Sequence, residues 1–114
     1  MATNTLKNAQ VAAAASDTAT YATLYTCPAA TVATTSTVTA CNTSSSPVLV
    51  RMGVMASAGT PAVASGQFVW YDATIAANDT LSWTTGMVLT AGQYVRVSAS
   101  STAVNFMVSI VETA

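Results

Sequence analysis

Histidine is absent from this 114-residue chain, and Lys, Arg, Asp and Glu together make up only 6% of it. An average soluble domain carries about 25% charged residues, so something else must cover this surface. Without histidine the commonest general base is missing, and none of the many serines, nor either cysteine, has such a partner to activate it. The three cations, Lys7, Arg51 and Arg96, fall well short of the roughly 6 to 10 phosphate contacts that proteins binding nucleic acid make. A net charge of −1 supplies no field that recruits an anionic membrane. The longest apolar stretches, residues 47–56 and 104–111, are far shorter than the roughly 20 residues of a spanning helix. Neither nucleic acid nor membrane is therefore expected as a partner.

Cysteine is nearly as scarce, with Cys27 and Cys41 alone. Cys27 ends one short predicted strand and Cys41 closes the next, which places them about 30 Å apart at about 3.3 Å per extended residue. A disulfide needs Cα atoms within about 7 Å, so two free thiols are expected. Residues 1–15 hold Lys7 and a run of alanines but lack the leucine-rich core of a secretion signal, and they are expected to be retained. The Asn42-Thr43-Ser44 and Asn78-Asp79-Thr80 triplets match glycosylation sequons and read as loops.

What the chain does have is threonine, serine and alanine. Residues 1–18 offer few large side chains and read as an extended N-terminal arm, ordered by lying along a neighbouring subunit. From Tyr21 the pattern changes to short β-branched and aromatic runs. Strands are predicted over residues 21–26, 31–42, 48–56, 67–73, 80–85, 93–100 and 103–112, with residues 86–92 turn-like. Strict alternation in the second of these puts Val32, Thr34, Ser36, Val38 and Ala40 on one face. In the fourth it puts Phe68, Trp70 and Asp72 opposite Val69 and Tyr71, and in the last it turns Val104, Phe106, Val108 and Ile110 inward. A ten-residue Ala, Gly, Ser and Pro segment, Ser57 to Gly66, reads as a crossover or contact loop. The expected fold is all-β: a single-domain antiparallel β-sandwich or jelly roll of seven or eight strands over residues 19–114, with the arm at 1–18.

Few residues qualify as a site. Asp72 and Asp79 flank one turn; as a carboxylate pair they suit glycoside chemistry, as oxygen donors a Ca²⁺ ion, and as turn caps they need only backbone N–H groups. The last role fits their Asn and Thr neighbours best, and no metal or cofactor is expected. Trp70, Tyr71, Trp83 and Tyr94 fall in three predicted strands and form either an aromatic platform for sugar rings or filling for the core or an intersubunit seam. Arg51 and Arg96 sit among apolar strand residues, where an unpaired charge is costly, so each is expected to meet an acid or backbone carbonyls. These six residues are the candidate interface or glycan contacts.

The segments Leu24-Tyr25-Thr26-Cys27-Pro28-Ala29-Ala30-Thr31, Ser36-Thr37-Val38-Thr39-Ala40-Cys41-Asn42-Thr43 and Tyr71-Asp72-Ala73-Thr74-Ile75-Ala76-Ala77-Asn78-Asp79-Thr80-Leu81 resemble those of a group of small tailed-phage virion proteins. Residues 86–99 and 104–112 fit the same pattern. The resemblance covers most of residues 20–112 and rests on turns and strand patterns; it departs at the Ala-Val-Ala-Ser loop before Gly66 and at Trp83. It implies a non-enzymatic β-sandwich in a virion assembled in the bacterial cytoplasm, a capsid decoration or cement protein, with the trimer favoured among homo-oligomers. The implied partners are the major capsid protein or other virion subunits. The alternatives are a tail, neck or fibre component, a glycan-binding adhesin module and a pilin-like subunit that donates its N-terminal arm as a strand, which would carry a cleaved signal and a Cys27–Cys41 disulfide.

Overall fold

The computed structural model describes residues 3–55, 68–84 and 86–114. The loop expected over Ser57 to Gly66 lies outside them. Nine strands are present among the described residues: β1 (Asn4–Ala12), β2 (Ala22–Thr26), β3 (Val32–Asn42), β4 (Val48–Met55), β5 (Phe68–Ile75), β6 (Thr80–Thr84), β7 (Val88–Leu89), β8 (Tyr94–Ala99) and β9 (Val104–Thr113). Seven match the predicted runs. The two others are the two-residue β7 and β1, which forms within the segment read as an arm.

The strands make two antiparallel sheets. Sheet A runs β1-β9-β3-β6, with β7 also paired to β3, and sheet B runs β2-β8-β4-β5. Eight strands divided this way, four to a sheet, make a jelly roll. β1 pairs with β9 in unbroken register from Asn4↔Thr113 to Ala12↔Asn105. Residues 13–21 then carry the chain to sheet B. Ala13 N–H donates to the Val104 carbonyl at 3.0 Å, Ser16 bridges Ala99, and the Ser98 hydroxyl donates to the Thr18 carbonyl at 2.8 Å.

Between the sheets lies one apolar cluster. Sheet A contributes Val38, Ala40, Val104, Phe106, Val108 and Ile110, and sheet B contributes Leu24, Val50, Met52, Val95, Val97 and Ala99. In β9 the alternation predicted from sequence is the one observed. In β3 it is not, because the register against β9 shifts between Thr35 and Val38. Ala33 and Thr35 therefore join Val38 and Ala40 in the interior, while Val32 and Thr34 are exposed. A bulge adds one residue to a strand and reverses the face of everything beyond it, and a run of threonines gives no hydrophobic contrast from which to read it.

Candidate functional site: the outer face of sheet B and the inter-sheet clasp

The outer face of sheet B gathers most of the polar and aromatic side chains singled out in the sequence. Across β4 and β5 the register passes from Val50↔Ala73 to Met52↔Trp70, so Arg51 faces two residues, Tyr71 and Asp72, where regular pairing supplies one. Asp72 takes a left-handed backbone with φ of 53° to fit. The bulge corrects the expected alternation: Asp72 leaves the face of Trp70 and turns with Tyr71 toward Arg51. The guanidinium donates from Nε to Asp72 Oδ1 at 2.6 Å and from its terminal nitrogen to Oδ2 at 3.2 Å, and it lies 4.3 Å from the Tyr71 ring centroid. Arg51 thus finds its acid within its own chain. The bonds to Arg51 hold the Asp72 carboxyl below its ordinary range, and those from Asp72 and Tyr21 keep Arg51 firmly charged.

Around this pair, Phe68 meets Tyr71 edge to face at 4.8 Å, and Met55 and Tyr94 form a small second cluster with Tyr21 and Phe68 against them. Arg96 stands 5.3 Å from the Tyr94 ring. Of the six candidate residues, Arg51, Tyr71, Tyr94 and Arg96 therefore share one face. Tyr71 is 61% exposed there, while Tyr94 is buried. Trp70 and Trp83 lie elsewhere. They pack edge to face at 6.3 Å between β5 and β6, against the main cluster, where they close one open side of the sandwich.

A second polar constellation was not singled out in the sequence. Glu112 continues the inward phase of β9 and is only 7% exposed. Its Oε2 accepts the Tyr25 hydroxyl at 2.5 Å, and its Oε1 meets Lys7 Nζ at 3.1 Å, so β9, β2 and β1 are clasped at one point. The bond from Tyr25 and the ammonium of Lys7 lower the Glu112 pKa against the opposing effect of burial. Burial, followed by the Glu112 carboxylate, pushes the Tyr25 phenol well above its ordinary value. The signal was present in the even-numbered inward series from Val104 to Ile110, which puts a carboxylate inside and requires a donor there.

Asn42, read from the sequence only as part of a sequon loop, is also buried. Its amide donates to the Ser46, Ile75 and Ala76 carbonyls at 2.8, 3.3 and 3.1 Å, and its carbonyl accepts the Ser44 N–H at 2.9 Å. It is fully buried, so this sequon ends a core strand and presents no side chain to solvent. Asp79 accepts the N–H of Thr80 at 2.8 Å, the capping role expected of it.

The chemistry available is limited. Cys27 and Cys41 are free thiols. Cys27 is buried, its thiol faces the Thr31 and Leu89 carbonyls, and burial raises its pKa, which keeps it protonated and unreactive. Among the described residues no group of three or more potential metal ligands occurs, and there is no helix long and apolar enough to cross a membrane. A shallow hollow of about 440 Å³ on sheet A, bordered by Gln10, Thr39, Cys41, Asn105 and Met107, contains no charged side chain.

No protein-family description and no curated protein matches the chain in sequence. Solved structures do match in shape. A chain in the structure of the infectious bursal disease virus Gx strain superposes with a TM-score of 0.55 at 11% identity, over 99% of this chain and 37% of its own. One in the crystal structure of the T13 particle of the same virus gives 0.57 at 10% identity, over 96% and 31%. A chain from Bacillus endospore appendages, described as disulfide-linked pili, gives 0.53 at 15% identity, over 98% and 86%. The chain thus spans about a third of the length of the two viral chains and most of the appendage chain. At these identities the likeness is one of fold: this two-sheet sandwich is an architecture also found in chains of a virus particle and of a pilus-like appendage.

Proposed function

We propose that the chain is a structural subunit of a virion, and specifically a capsid decoration (cement) protein of a tailed phage, working as a trimer that binds the major capsid protein and reinforces the shell. The observation that carries this reading is the outer face of sheet A. Asn8 and Gln10 of β1, Asn105, Met107 and Ser109 of β9, Thr34 and Thr39 of β3, and Ser82 and Thr84 of β6 form a surface without a single charge. Leu6, Val32, Val88 and Met107 add exposed apolar area. Such a face docks without desolvating ions, whose burial costs several kcal/mol each unless paired, while its hydroxyls and amides act as donor or acceptor as the partner requires. The N-terminal segment, through β1, and the body over 19–114, through β3, β6 and β9, supply this face together. Binding energy alone stabilises a lattice by mass action, so the role needs no catalytic group or cofactor.

The fold likeness to virus-particle chains supports the virion reading, and the resemblance to small tailed-phage proteins supports the narrower one. The test is to add purified protein to phage shells that lack it. Saturable binding at a fixed ratio to the shell subunit, a higher temperature of shell disruption, and at least tenfold weaker binding by Met107→Lys are expected. Intact shells that bind none of it overturn the proposal. Exposure of Tyr71 beside the Arg51–Asp72 pair favours a second reading, a tail, neck or fibre component or a glycan-binding module, which a glycan array separates from the first.

A further inference from the structure

Each sheet of a sandwich ends in two edge strands whose outward N–H and C=O groups invite pairing, and folded proteins usually block them with short length, bulges, proline or charge. Among the described residues, three of the four edges are blocked. β2 has five residues and a register shift between Thr23 and Tyr25, β5 carries two shifts, and β6 has only five residues. β1 is different. It runs nine residues, holds perfect register with β9 and contains no proline, and its only charge, Lys7, is engaged with Glu112.

The ladder also fixes which groups point outward. Thr3 and Ala114 exchange both backbone bonds at 2.8 and 3.0 Å, and Ala13 N–H donates to Val104 at the far end. Bonded and non-bonded pairs alternate in an antiparallel ladder, so Thr5, Lys7, Ala9 and Val11 bond to β9. Asn4, Leu6, Asn8, Gln10 and Ala12 then turn their backbone groups to an edge that no described strand occupies. Their side chains are uncharged, and Leu6 is 81% exposed.

We propose that this edge is an isologous interface: β1 pairs antiparallel with β1 of a second copy across a two-fold axis at Asn8, joining two A sheets into one. The axis at Asn8 matches Asn4 with Ala12 and Leu6 with Gln10 of the second copy, so all five outward residues find partners. No other centre on this strand does. Lys7 stands beside Ala9 of the other copy rather than beside its own counterpart, so no like charges are opposed. A second copy is favoured over a foreign strand because the edge is complementary to itself in length, register and lack of charge. The inference rests on the proposed function only in that both require self-association.

Sedimentation of the full chain, with Asn8→Pro and with Asn8→Cys and Leu6→Cys in a Cys41→Ser background, tests it. The native chain is expected to have a mass that is an even multiple of 11.5 kDa, a hexamer if the trimer also forms. Asn8→Pro removes an N–H that β9 does not use and is expected to halve that mass with an unchanged circular dichroism spectrum. Oxidised Asn8→Cys is expected to form a covalent dimer, because a bonded pair sits at about 5.5 Å between Cα atoms, whereas Leu6→Cys remains uncrosslinked. A monomeric native chain, an Asn8→Pro protein of undiminished mass, or equal crosslinking by both cysteine variants overturns the inference. Shell binding is scored separately: pairing without it sinks the decoration role alone, and shell binding without pairing sinks the edge interface alone.

Discussion

Tyr25 of β2 donates its hydroxyl to Glu112 of β9, 87 residues away, and this buried bond ties sheet B to sheet A at the point where Lys7 of β1 also arrives. The Glu112 carboxylate adds a side-chain tie to the backbone ladder that already joins β1 to β9. Tyr25 is itself part of the main apolar cluster, so the clasp links Lys7 of β1 to the core through Glu112.

Tyr25→Phe is therefore expected to lower unfolding free energy by about 1.5–3 kcal/mol, the range for hydrogen bonds to charged groups. Urea denaturation measures it. Lys7→Met combined with Tyr25→Phe should show coupling in a double-mutant cycle, since both partners act on one carboxylate. A change below about 0.5 kcal/mol for Tyr25→Phe contradicts the assigned role.

Acid should weaken both this clasp and the Arg51–Asp72 pair. Glu112 and Asp72 both have folded pKa values lowered from 4.5 and 3.8, so their contribution to stability is fully present above those values and is lost as pH falls below them through the folded values. Alkali acts through Tyr25, whose raised pKa makes its contribution complete below pH 10.0 and lost only as pH climbs toward the folded value. Phenolate absorbance that differs between native protein and Tyr25→Phe should appear only well above pH 10.0. Its appearance at lower pH contradicts the buried bond.

Asn42→Ala leaves the Ser46, Ile75 and Ala76 carbonyls without their shared donor and should destabilise by roughly 1–3 kcal/mol. Asn42→Asp should be as harmful or worse, because a carboxylate at that site accepts but cannot donate. Thermal denaturation of both variants checks the ordering.

Ala30 holds φ at 55° in the turn after Pro28, a conformation in which Cβ crowds the backbone. Ala30→Gly should relieve that strain and stabilise by up to about 1 kcal/mol after the added freedom of the unfolded glycine is subtracted. A destabilised variant would mean the turn carries no strain.

Thiol accessibility should separate the two cysteines. In native protein an aromatic disulfide reagent should react with Cys41, which is partly exposed, and spare Cys27, which is 1% exposed. Both should react after unfolding. Mass measured without reductant should show no internal bridge.

How much of this was legible depended on the contrast each strand offered. In β9, large apolar residues alternate with Asn105 and Ser109, and the interior face follows directly. In β3, small threonines and alanines occupy both faces, and the bulge before Val38 left no trace in residue type. Arg51 needed an acid, but its choice of Asp72 depended on a bulge that only pairing with β4 reveals. β1 was illegible for another reason: its residues have weak strand preference, and its order comes from the backbone edge of β9.

The sequence determined that the chain is charge-poor, through its composition, and that it folds as a β protein, through the alternation and spacing of its β-branched runs. Only the tertiary structure decided which residues meet. Ion pairing, burial of Glu112 and Asn42, and the open edge of β1 all depend on strand order and register, and these are set by contacts between segments far apart in the chain, which no local pattern encodes.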